Sequence, residues 1–130
     1  MRPTKAETVI QEIESNPTNR LIVGRRRGQV LVRLAKEFQP KRILEIGTNL
    51  GYSAILMGKE LGPRTRITSI EINPNFAKQA EEHIRRAGLQ AKVEVLVGDA
   101  RAILPTLKGA FELVFIDGQK CEYLDYLKLS

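Results

Sequence analysis

The chain has 130 residues, 42% of them hydrophobic, with one cysteine and a formal net charge of +6 at pH 7. That suits one compact domain, residues 1–130, and carries no compositional sign of a second. No apolar run approaches the roughly 18 residues that span a bilayer, and "MRPTKAETVIQEIESNP" lacks the apolar region of a secretion signal, so a soluble, cytoplasmic protein is expected.

Cys121 has no second cysteine to pair with, which fits a reducing compartment. The positive balance suits an anionic partner such as nucleic acid, yet its only dense cluster is Arg25, Arg26 and Arg27. That run reads either as a solvated basic face or as such a contact.

Taken in chain order, Thr4 to Glu14 favours helix, stopped at Ser15, Asn16 and Pro17, because proline lacks a donor and disfavours helix in the residue before it. From Gln29 to Phe38 the apolar positions Val30, Leu31, Leu34, Ala35 and Phe38 recur at helical spacing and predict a helix with one face on a core. Pro40 closes it, and "RILEIG" reads as a buried strand. Tyr52 to Leu61 is helical and ends at Gly62 and Pro63.

The alternation then repeats. "RITSIEI" is a strand, followed after Pro74 by a helix with Ala77, Ala80, Ile84 and Ala87 on one stripe, ended by Gly88. "KVEVLVGD" is the third strand, Ala102 to Leu107 a short helix and "FELVFID" the fourth strand, before a last helix carrying Tyr123, Tyr126 and Leu127. Strands alternating with helices imply right-handed crossovers and a parallel sheet. The expected fold is therefore a Rossmann-like, doubly wound α/β domain.

In such a sheet a ligand sits outside the carboxyl ends of the strands, where strand order reverses. After the first strand, "EIGTNLGYSA" brackets a loop between Gly47 and Gly51; glycine there permits positive φ and close approach to the backbone. The spacing is Gly-x-x-x-Gly with Asn49 at its centre, which disfavours a dinucleotide fingerprint, and no Gly-Lys-Ser/Thr follows for a P-loop. Glu71 ends the second strand, placed to accept both hydroxyls of a ribose. Asp99 ends the third, where it can accept from an exocyclic amine, and Asp117 ends the fourth. Each acid taken singly also reads as a cap for the helix that follows. Together they favour a nucleoside ligand. His83 falls on the polar side of its helix and is given no role.

"ILEIGTNLGYSA", "ITSIEINP", "VEVLVGDA" and "LVFIDGQKCEY" resemble, in order and spacing, the successive motifs of S-adenosylmethionine-dependent methyltransferases, closest to the catechol and caffeoyl-CoA O-methyltransferase group. The Gly-Gln pair in "LIVGRRRGQVLVRL" strengthens the likeness, which covers roughly residues 21–127. The resemblance implies a strand order of 3-2-1-4. It also implies that Gly47, with the loop through Thr48, Asn49 and Gly51, contacts the methionine part of S-adenosylmethionine, with Glu45 also among the cofactor-binding residues and Ser53 holding the carboxylate. Glu71 would bind the ribose hydroxyls, Ile72 would pack on adenine, Asp99 and Ala100 would meet its polar atoms, and Val23 would cover the aminoacyl end. Asp117 would border the cofactor and ligate a divalent metal, with Lys120 as general base. A Mg²⁺ ion on two adjacent hydroxyls lowers their pKa, and like charge near Lys120 suits that residue to accept a proton.

The family continues past this point with strands 5 to 7, which this chain lacks, so it reads as truncated after the fourth strand. Asp117 alone could not hold a hard ion that takes about six oxygens, so metal binding is doubtful. The fourth strand, apolar on both faces, would then be an edge that invites pairing. Either the chain is a fragment of a longer protein or it forms a homodimer, through that edge or another face. The leading expectation is methyl transfer to a hydroxyl of a small aromatic acceptor. The rivals are an RNA or protein methyltransferase and a cofactor-binding module without catalysis.

Overall fold

The computed structural model describes residues 2–16 and 24–116. Their elements run α1 (Lys5–Ser15), α2 (Gly24–Phe38), β1 (Arg42–Ile46), α3 (Tyr52–Glu60), β2 (Arg66–Glu71), α4 (Pro74–Arg86), β3 (Val93–Val97), α5 (Ala100–Ile103) with a 3₁₀ turn over Leu104–Thr106, and β4 (Leu113–Ile116). The four strands are parallel in the order β3-β2-β1-β4, as expected. Val23, Asp117, Lys120 and the expected last helix lie outside the described residues.

The period-2 alternation of each strand divides its side chains between two cores. Ile43 of β1, Ile67 of β2, and Leu113 and Phe115 of β4 join the core built with α1, α2, α3 and α4. Leu44, Ile46, Ile70, Val114 and Ile116 face the opposite side, where Ala100 and Leu104 cover them. Ile10, Ile13, Ile43, Ile55 and Ile67 are essentially inaccessible, each contributing about 1.5–3 kcal/mol relative to exposure.

The first core is roofed by α1. Thr4 caps it, its hydroxyl accepting from Glu7 N at 3.1 Å. Val9, Ile10 and Ile13 are buried at helical spacing. Polar links tie α1 to its neighbours, among them Glu7 to Lys59 at 2.6 Å, Glu12 to Arg86 at 2.7 Å, and the Tyr52 hydroxyl donating to Glu14.

Two elements differ from expectation. α2 begins at Gly24 rather than Gln29, and it buries Leu31 and Ala35 while Val30, Leu34 and Phe38 stay 53%, 43% and 67% exposed. The apolar positions form a band wider than the contact with α3 covers. The short helix starts at Ala100, and Pro105, without an N–H, turns it into a 3₁₀ turn. No helix among the described residues is long and apolar enough to cross a membrane.

Candidate functional site

The carboxyl ends of β1 and β2 carry the loop 47–51 and Glu71. Leaving β1, the chain donates Gly47 N and Thr48 N to Ile70 O at 2.8 and 3.2 Å, which bends it toward β2. Three of the next five residues have left-handed backbone, Gly47 (φ 97), Asn49 (φ 54) and Gly51 (φ 85). At Gly51 a Cβ would also sit 3.4 Å from the Ala80 backbone of α4, so glycine satisfies both the dihedral and the close helix.

Glu71 lies directly beside this loop and is almost fully buried. Its Oε1 accepts from Asn49 N at 2.6 Å and its Oε2 from Asn73 N at 2.9 Å. The cap of α4 is Asn73, whose Oδ1 accepts from Asn75 N and Phe76 N. Glu71 is therefore not that helix's cap. Each carboxylate oxygen retains lone-pair capacity for a further donor.

Beneath the loop, register places Ser69 of β2 beside Glu45 of β1, both pointing to the α3 side. Glu45 is fully buried and accepts from Ser69 Oγ at 2.6 Å and from Ser53 Oγ. Thr48 Oγ1 lies 2.5 Å from Ser69 Oγ. Because Ser69 gives its single proton to Glu45, Thr48 is the donor in that pair. The same count applies to Ser53: its hydroxyl proton goes to Glu45, so toward a ligand that oxygen can only accept. Backbone N–H groups can meet a ligand carboxylate instead. α3 begins there without a side-chain cap, which suits an anion at its N-terminus.

At the next strand tip Asp99 caps α5, its Oδ1 accepting from Arg101 N at 2.9 Å, while Arg101 Nη2 donates to Oδ2 at 2.8 Å. The Arg101 guanidinium, then its backbone N–H, hold the Asp99 carboxyl below the usual carboxylate range. Of the two readings the sequence left open for Asp99, the geometry supplies the cap. Ile72 and Val97 flank Glu71 with side chains 65% and 50% exposed, an apolar surface at the tips of β2 and β3.

The fold thus brings together Glu45, Gly47, Thr48, Asn49, Gly51, Ser53, Glu71 and Ile72, with Asp99 and Ala100 at the adjacent tip. Among the described residues no group of three His, Cys, Asp or Glu could hold a metal. The side chains of Arg25, Arg26 and Arg27 lie outside the described ones.

The sequence reading passed over three contributors. Ser69 was detectable, two residues before Glu71 in an alternating strand. Val97 ends its strand opposite Glu71, and the same alternation pointed to it. His83 was not: its Nδ1 lies 2.8 Å from Leu50 O, a contact made across 33 residues.

Comparison with known proteins decides the family. A family model described as O-methyltransferase matches residues 3–130. The chain belongs to the O-methyltransferase family. Among its curated relatives, a catechol O-methyltransferase of Mycobacterium tuberculosis is 41% identical over 110 residues, 84% of this chain and 50% of that protein. A mouse (Mus musculus) catechol O-methyltransferase is 32% identical over 131 residues, 95% of this chain and 49% of that one. The chain spans about half the length of these O-methyltransferases. Among solved structures, the O-methyltransferase TomG of Streptomyces achromogenes, crystallised with SAM, superposes with a TM-score of 0.84 at 34% identity, covering 99% of this chain and 60% of that one. An O-methyltransferase of Bacillus cereus in complex with SAH gives 0.83 at 30% identity, covering 100% and 63%.

Proposed function

We propose that this chain binds S-adenosylmethionine at the loop 47–51 and serves methyl transfer to a hydroxyl of a small aromatic, catechol-like acceptor. The carrying observation is the seating of Glu71 against the glycine loop, Oε1 to Asn49 N at 2.6 Å, in a member of the O-methyltransferase family. It makes one continuous surface of a carboxylate for two ribose hydroxyls and a backbone cradle for an aminoacyl group. The relatives named catechol O-methyltransferase and the neighbours holding SAM or SAH support the reading.

The residues fit the cofactor. Glu71 keeps lone pairs for the ribose. Ile72 and Val97 offer apolar faces to adenine, with Asp99 and Ala100 at its edge. The start of α3 and the loop backbone take the carboxylate, while Ser53 Oγ, an acceptor here, suits the ammonium. Val23, outside the described residues, is proposed for the aminoacyl end from the resemblance alone. When bound, the cofactor supplies a methyl group on a sulfonium, already a good leaving group. What remains for the protein is to align the acceptor oxygen and remove its proton. Lys120 is the proposed base, with Asp117 three residues before it in sequence. Asp117 would supply one oxygen toward a divalent ion, of the six or so that a hard cation takes, so metal binding by this chain stays doubtful.

In solution this chain forms a homodimer. Support comes from β4, an edge strand among the described residues whose four side chains are all half-buried, and from the exposed stripe on α2. We also assign it to the cytoplasm.

Titration calorimetry with S-adenosylhomocysteine, with and without Mg²⁺, tests the cofactor site. Saturable one-site binding is expected in both conditions, and no binding in either sinks the proposal. Binding without methyl transfer to catechols favours a cofactor-binding module lacking catalysis.

A further inference from the structure

We propose that His83 is a positioning residue that sets the conformation of the glycine loop. The inference rests on the cofactor reading above for its functional consequence, and on geometry alone for its structural part. His83 is the only histidine of the chain and lies in the last turn of α4, half-buried, where a basic side chain ordinarily complements the helix dipole. Its ring does something more specific. Nδ1 approaches the carbonyl oxygen of Leu50 at 2.8 Å. A carbonyl oxygen only accepts, so Nδ1 carries the proton, and it donates in the neutral and the protonated ring alike.

The loop needs holding from this side. Asn49 sits at φ 54 between two glycines that are also left-handed, a conformation asparagine tolerates better than most residues but one that neighbouring contacts still have to select. Ile70 O anchors the first two loop amides, and Glu71 takes Asn49 N from the β2 side. On the opposite side α4 does the remaining work: Ala80 stands behind Gly51, and His83 takes Leu50 O. Leu50 itself is buried. Without the imidazole its carbonyl loses this donor just where the chain turns into α3. Glu71 and His83 thus grip the loop from two neighbouring elements, and the peptide between their contacts is held in the orientation a ligand would meet.

The test compares His83→Leu, which removes the donor, with His83→Asn, whose Nδ2 can occupy nearly the same place as Nδ1. Two measurements are made, amide hydrogen exchange of residues 47–51 and S-adenosylhomocysteine affinity. In His83→Leu, exchange at residues 49–51 should rise by about tenfold and affinity fall by about tenfold, the size of one hydrogen bond. Exchange in β1 should stay unchanged, and His83→Asn should return both values to within about twofold of wild type, the margin a well-placed replacement donor leaves. Unchanged loop exchange in His83→Leu overturns the proposal whether or not the cofactor binds. Faster exchange with unchanged affinity overturns its functional half. A wild-type protein that fails to bind S-adenosylhomocysteine overturns the cofactor reading instead, and exchange alone then decides on His83.

Discussion

At the tip of β2, Glu71 accepts Asn49 N with one oxygen and Asn73 N with the other, while facing the surface proposed for the ribose. The residue is therefore both part of the loop's scaffold and part of the site. Glu71→Gln separates these roles poorly by design: its amide carbonyl can still serve one backbone N–H, but the NH₂ opposes the other. Calorimetry on this variant should show S-adenosylhomocysteine affinity down by about 100-fold, with stability down by about 1–2 kcal/mol from the N–H left unmatched. Affinity within a few-fold of wild type would contradict the ribose assignment. The same accounting explains Ser53. The resemblance gave it to the ligand's carboxylate, while in the structure its hydroxyl donates to Glu45. Sequence shows that a serine stands at that place, whereas the direction of its hydrogen bond depends on a strand residue eight positions earlier.

Among the elements, α1 acts as a brace across α3 and α4, the two helices that border the loop. Lys59 on α3 is its central polar contact, paired with Glu7 of α1 and with Glu60. Burial is the largest single influence on Lys59 and pulls its pKa down, but hydrogen bonds to Glu60 and Glu7 together outweigh it, and the net shift is upward from 10.5. A raised folded-state pKa stabilises the fold fully below the unfolded value, and that stabilisation is lost as pH rises through the folded value. Denaturant titrations of wild type and Lys59→Met should thus differ by a constant amount, about 1 kcal/mol, up to about pH 9, and converge above 10.5. A difference that stays flat to high pH would show that Lys59 contributes packing alone. The helix itself was legible from "TKAETVIQEIES". Its partners were not, because Glu12 meets Arg86 and Glu14 meets Tyr52 across 74 and 38 residues.

For the molecule as a whole, the least settled surface is the outer face of α2, where Val30, Leu34 and Phe38 are exposed one turn apart. Apolar stripes of this kind mark contacts with other chains or segments. Sedimentation of the 130-residue chain should show a mass that rises with concentration, and Leu34→Lys with Phe38→Glu should shift it toward monomer. A monomer at every concentration, with β4 amides exchanging freely, would remove the dimer proposal. The periodicity of α2 announced an apolar face but not its width: Leu31 and Ala35 are buried in the core and Val32 packs against it, while Val30, Leu34 and Phe38 stay exposed. How much of the band is covered depends on which neighbours reach it.

Among the described residues, the order of strands and helices, the parallel sheet, the glycine loop and the acids Glu71 and Asp99 at strand tips followed from the amino-acid sequence. They are written in local signals: burial periods of two and 3.6, prolines and glycines at boundaries, and short right-handed crossovers. Tertiary structure alone decided which acid was engaged and by what. Glu71 turned to the loop amide 22 residues back and His83 to a carbonyl on that same loop, while the pairing of Asp99 with Arg101, two residues on, stayed local. The physical reason is that hydrophobic periodicity is carried by each segment separately, whereas a hydrogen bond needs a donor and an acceptor within about 3 Å, a distance that exists only once two distant segments have packed.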